Sequence, residues 1–168
     1  MDARSDHAGV DRPDHWAGHN KKDIISLACR GNRCYSKFVM ELWDYKNGNR
    51  NEIHAWAKAL SSRDRAALNQ KLDILERIDF ELAHGLKLLA GPIQKSGHVL
   101  KLRASGDTAL SPLLCRGPNA PLGEYTLLQG AQIRDGQFCP KSAVEDARRN
   151  RELICAAPNQ WRTVHERA

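Results

Sequence analysis

Residues 34–45, CYSKFVMELWDY, alternate: Phe38, Met40 and Leu42 fall on one side and Lys37, Val39 and Glu41 on the other, the two-residue period of a strand. KNGNRN then marks a turn around Asn47-Gly48. From there the period lengthens. NEIHAWAKAL sets Ile53, Trp56 and Leu60 on one face at helical spacing. SSRD interrupts it, and Ser61 or Ser62 is placed to cap a second helix by accepting an exposed backbone N–H. That helix is expected over RDRAALNQKLDILERIDFELAHG, with Leu68, Leu72, Leu75, Ile78 and Leu82 at spacings of four, three, three and four. Gly85 suits its left-handed C-terminal cap, and the short turn folds the two helices into an αα-hairpin.

Beyond Gly85 the alternation returns. HVLKLRA puts Leu100, Leu102 and Ala104 on one face and Val99, Lys101 and Arg103 on the other. TALSPLLC is a second strand, compromised by Pro112, which has no N–H for a ladder, and EYTLLQGAQI is a third. Pro140 suits the first position of a last helix, PKSAVEDARRNRELICA, whose Ala143, Val144, Ala147 and Ile154 trace an apolar face. The pattern predicts a flexible arm over 1–33, one domain over 34–156 and a tail over 157–168. The expected class is α+β in the order β-α-α-β-β-β-α. The helical hairpin covers one face of a four-stranded, mostly antiparallel sheet, and the other face stays partly open.

Composition narrows this little. At 168 residues, with 41% hydrophobic and 27% charged positions, the chain suits one domain with a core. No apolar run approaches the ~20 residues that cross a bilayer, and the N-terminal stretch has no apolar signal core. The expectation is a cytoplasmic protein without a membrane partner. The cysteines, Cys29, Cys34, Cys115, Cys139 and Cys155, are odd in number and lack framework spacing, which fits reduced thiols. Cys29 and Cys34, with His7, His15 and His19 upstream, lack the second half of a zinc site, so neither metal nor cofactor is expected.

Charge changes the picture more. The net charge is +6, and it is unevenly spread. From Glu52 to Leu82, Lys58, Arg63, Arg65, Lys71 and Arg77 face Glu52, Asp64, Asp73, Glu76, Asp79 and Glu81; five minus six leaves −1. From His84 to Pro118, Lys87, Lys95, Lys101, Arg103 and Arg116 face Asp107 alone; five minus one leaves +4. Cations gathered on a strand half attract a phosphate backbone whatever its sequence. The same residues also keep a strand soluble and guard it against edge pairing, and charge alone does not separate the two roles.

Several strings, taken in order, resemble the RelE/HigB-like toxins of bacterial type II toxin–antitoxin systems, especially the phage-derived branch. The likeness runs from about Lys37 to Leu153. KFVMELWDYKNGNRNEIHAWAKALSSRDRAALNQKLDILE is similar to that family's first strand and helical hairpin. GHVLKLRASG is similar to its second strand, and EYTLLQGAQIRDGQFCPKSAVEDARRNREL to its final strand and last helix.

The resemblance implies a ribosome-dependent mRNA endoribonuclease that inhibits translation, needs no metal and is held inactive by a cognate antitoxin protein. By position it implies catalytic roles for Lys101, Arg103 and Arg134; Lys95, His98, Arg116 and Lys141 are further candidate RNA contacts. Three stretches depart from the family pattern. Ala109 and Leu110 stand where a tyrosine–arginine pair is usual, the last loop, IRDGQFC, lacks the frequent double lysine and adds the negative Asp135, and the last helix lacks the tyrosine or histidine common near its start. These departures keep a second expectation open: a RelE/ParE-like protein that binds a protein or nucleic-acid target without cutting it.

Overall fold

The structure, a computed structural model, describes residues 39–93, 98–118 and 123–168. The chain divides between Cys34 and Tyr35, and all described residues belong to the second unit. The expected arm over 1–33, the Cys29–Cys34 pair with its upstream histidines, the start of the first expected strand and Lys95 lie outside the described residues.

The first strand, β1 (Glu41–Asn47), turns at Gly48 (φ 59°) into the short β2 (Arg50–Asn51). Asn51 then caps α1 (Glu52–Lys58) by accepting the His54 N–H, and Ser61 caps α2 (Ser62–Leu75) by accepting that of Asp64. The long second helix expected over 63–85 is two helices. The carbonyl of Glu76 accepts the Met40 N–H at 2.8 Å, and the Asp79 side chain accepts the Leu82 N–H, starting α3 (Phe80–Gly85) afresh. The left-handed residue also falls later than expected, at Lys87 (φ 57°) rather than Gly85.

The strand half contains β3 (Leu89–Ala90), β4 (Leu100–Leu102), β5 (Ala104–Ser105), β6 (Ala109–Leu110), β7 (Leu113–Arg116), β8 (Glu124–Gln129), β9 (Gln132–Arg134) and β10 (Gln137–Cys139). After them come α4 (Ala143–Ala156), α5 (Pro158–Trp161) and β11 (Arg162–Val164). The class is α+β and the sheets are mostly antiparallel, but the single four-stranded sheet is not what the described residues form. They make a seven-stranded sheet, ordered β11-β1-β8-β7-β4-β3 with β2 beside β1, and a four-stranded one, ordered β10-β9-β6-β5. Among the described residues, only β1 and β8 pair in parallel.

Two sheets arise because each of the three expected strands is broken midway. β4 passes into β5 at Arg103, β6 into β7 at Ser111-Pro112, and β8 into β9 at Gly130-Ala131. Pro112 cannot donate to a ladder. Gly130 runs so close to α1 that a Cβ there would lie 2.1 Å from Trp56 Cδ2. Hydrogen bonds nevertheless continue through the break, Leu102 N–H to the Pro112 carbonyl (3.0 Å) and Ser111 N–H to that of Ala131 (2.9 Å).

The core lies around β8. Five consecutive residues of this strand, Glu124 to Leu128, are buried, so both its faces are covered. α1 and α4 both pack against it, and the Asn150 amide of α4 donates to the Leu128 carbonyl at 2.9 Å. The open face expected of the main sheet is therefore absent where β8 runs, and exposure falls on the smaller sheet. Burial pushes the Cys115 thiol and the Tyr125 phenol each up to about 12.

Two further expectations are corrected. Residues 157–168 are not a free tail: β11 pairs antiparallel with β1, Tyr45 opposite Arg162 and Trp43 opposite Val164. Three of its side chains find partners within the fold. Arg162 donates to Glu124 at 2.9 Å with both side chains 3% exposed, and stacks 4.2 Å over the Trp43 ring. His165 Nδ1 meets Asp44 Oδ1 at 2.7 Å, and Arg167 bridges Asp73 and Glu76, each at 2.7 Å. Nor does Pro140 open the last helix, which starts at Ala143 after a turn. The residues just before Pro140 are held in β10.

Candidate nucleic-acid interface

β9 and β10 form a tight hairpin because Asp135 (φ 50°) and Gly136 (φ 73°) both take the left-handed conformation that a two-residue turn of matching twist requires. The register then sorts side chains by face. Phe138 stands opposite Ile133, Ile133 opposite Ala109, and Ala109 opposite Ser105, so these four share one face of the smaller sheet. Ser105 and Ala109 are exposed, and Ile133 and Phe138 are half-buried. Leu110 and Ala104 share the other face and sit in the core. Leu110 is 1% exposed. A leucine at the position where the family pattern has arginine thus contributes apolar packing.

Lys101, half-buried on β4, extends its ammonium to 5.9 Å from the centroid of the Phe138 ring, within cation–π range. Phe138 in turn lines a depression of about 350 Å³ with Arg134, Asp135, Gln137, Cys139 and Lys141. Arg134 is exposed, and one of its nitrogens donates to the Gln132 side chain at 3.1 Å. Lys141 is exposed just beyond β10. Lys101 therefore approaches the ring from β4, and Arg134, Asp135 and Lys141 share with Phe138 the lining of the depression, although the register puts Arg134 with Gln132 on the other face of the hairpin. Cations that track a backbone beside a ring that stacks a base are the elements of single-stranded nucleic-acid binding.

The other sequence candidates lie elsewhere. Arg103 is exposed, its N–H donates to the Leu88 carbonyl at 2.9 Å, and its side chain lines a second depression with Lys71 and Lys87. The strand break at Arg103 accounts for this: Lys101 still belongs to β4, whereas Arg103 sits at the junction. Arg116 holds its guanidinium 4.4 Å over the Phe80 ring, at the start of α3. His98 is exposed two residues before β4. Sequence reasoning missed Phe138. The Asp135-Gly136 pair between two strand-like triplets was the hairpin signal that would have exposed it.

No family model, curated protein or solved structure matches this chain.

Proposed function

We propose that this chain is a toxin of the RelE/HigB-like kind, a ribosome-dependent mRNA endoribonuclease that inhibits translation and is restrained by a cognate antitoxin protein. The observation that carries this reading is the approach of Lys101 to the Phe138 ring, beside a depression that Phe138 lines with Arg134 and Lys141. The mixed α+β class with a mostly antiparallel sheet supports it.

In this reading a base of the message stacks on Phe138, and Arg134 and Lys101 hold the oxygens of the adjacent phosphate. The ribose 2′-oxygen bonds to that phosphorus, and the bond from phosphorus to the next 5′-oxygen breaks. Water at this exposed face takes the hydroxyl proton, and the Lys141 ammonium supplies one to the departing oxygen. The products are a 2′,3′-cyclic phosphate and a 5′-hydroxyl. Guanidinium suits the crowded phosphorane because it grips two oxygens as a fork and stays charged.

Primer extension of a transcript from cells expressing the chain tests the proposal. New 5′ ends should appear within translated sequence and vanish when translation is blocked. Arg134→Ala should lower cleavage by about a hundredfold, the usual loss when one donor to a developing charge is removed. Growth arrest with intact message would overturn cleavage. It would favour the second reading, a RelE/ParE-like protein that binds its target without cutting. Two observations favour that alternative: Arg103 lies apart from the cluster, and Leu110 is turned into the core.

A further inference from the structure

The second depression, about 410 Å³, has a composition unlike the first. Its floor is aliphatic, with Ile74 from α2 and Leu86 and Leu88 from the segment after α3. Leu86 is 61% exposed, and nearby Leu82 on α3 is 48% exposed. Its rim is cationic, with Lys71, Lys87 and Arg103, and no carboxylate lines it. Among the described residues, none of these three cations forms an ion pair.

The acids that would neutralise this rim are engaged elsewhere. Asp73 and Glu76, on the same helix as Lys71, are drawn to Arg167, and Asp107 is paired with Arg63 at 3.1 Å. Lys87 holds its charge at a backbone position (φ 57°) that a lysine adopts only at a cost. An exposed leucine on an aliphatic floor inside an unpaired cationic rim is an unpartnered amphipathic surface.

We infer that the groove edged by Lys71, Lys87 and Arg103 docks an acidic amphipathic segment of a separate protein, with its apolar side chains on Leu86 and its carboxylates on the rim. Charge complementarity selects an acidic occupant. The aliphatic floor selects protein over nucleic acid, because it offers bases no aromatic platform. The segment before the described residues is a poor occupant, since residues 1–38 carry more Lys and Arg than Asp and Glu. The inference stands whether or not the chain cuts RNA.

The test uses the full chain and three labelled probes. One is a helical peptide with Leu at i, i+3, i+4 and i+7 and Glu elsewhere, the second replaces every Glu by Lys, and the third is an oligouridylate. Fluorescence anisotropy should show the Glu peptide binding with an affinity that falls as salt rises. Lys71→Glu combined with Lys87→Glu should weaken it about tenfold, the scale of two rim charges reversed. Leu86→Asp should weaken it too, and oligouridylate binding should be unchanged in both variants. Amide shifts on adding the peptide should centre on Leu86 and Leu88. Equal affinity for the Glu and Lys peptides, or no response to the charge reversal, would overturn the inference. So would displacement of the Glu peptide by oligouridylate, which would make the groove a nucleic-acid site.

Discussion

The two sheets share three backbone strands and yet differ in kind. In the larger, β8 is buried on both faces, and the charges it meets are spent inside the fold, Glu124 on Arg162 and Asp44 on His165. In the smaller, one face carries Leu110 into the core and the other leaves Ser105, Ala109, Ile133 and Phe138 at least partly in solvent, with Lys101 beside Phe138 and Arg134 exposed at the β9–β10 turn. Charge in the first sheet is structural, because a desolvated ion needs its partner. Charge on the second costs little to keep exposed and is available to a ligand. That division makes stability and binding separable by mutation.

The sharpest test of the division is Arg162→Met. It leaves Glu124 desolvated without its counter-ion and removes the stack on Trp43, so a loss of about 3–5 kcal/mol in chemical denaturation is expected. A change below about 1 kcal/mol, the surface-pair range, would show that the pair behaves as if in water. Next in size is Gly130→Ala, where the new methyl meets the Trp56 ring and overpacking should cost about 1–3 kcal/mol. Part of that cost should return when Trp56→Leu is combined with it, a coupling that a double-mutant cycle reads directly.

A smaller effect concerns Asp64, whose carboxylate accepts the Thr108 N–H and hydroxyl, each at 2.9 Å, and so ties the β5–β6 turn to α2. The backbone N–H of Thr108, the largest influence, holds the Asp64 carboxyl below its ordinary value. A carboxyl lowered in the folded state binds fewer protons there than when unfolded. Its contribution is therefore complete above the ordinary carboxylate range and drains away as the pH falls below it. Asp64→Asn should flatten that part of the acid limb in a pH series of denaturation midpoints. An unchanged acid limb would assign the acid sensitivity to other carboxylates. Smallest of all, Arg134→Ala should alter stability by no more than about 0.5 kcal/mol, since its side chain is exposed, so any loss of function in that variant reads as chemistry.

Much of the helical part was legible in the sequence. Ile53, Leu68, Leu72 and Leu75 are buried as their spacing predicted, and Ser61 caps as its position predicted. The break before α3 was not legible. It depends on Met40, far away in the chain, claiming the Glu76 carbonyl. The division into two sheets was equally hidden. Leu100, Leu102 and Ala104 keep their alternation straight through the junction at Arg103, and only Pro112 and Gly130 hint at a break. Of the cationic residues, Lys101 approaches the Phe138 ring and Arg134 lines the same depression as that ring, whereas Arg103 lines a different one. A two-residue period gives the face of a residue but not the sheet to which that face belongs. The C-terminal segment was misread for a different reason: its many polar residues find their partners on β1, β8 and α2, which no local pattern reports.

The three junctions between the sheets lie side by side, stitched by the Leu102-to-Pro112 and Ser111-to-Ala131 hydrogen bonds. A seam crossed three times by covalent chain cannot serve as a hinge. The smaller sheet should therefore move with the larger as one rigid arch, and hydrogen exchange at Leu102 and Ser111 should be as slow as in the strands on either side. On the proposed reading, a nucleotide seated on Phe138 would meet a stiff anvil and would have to be delivered in shape, as a message already stretched out by another machine would be.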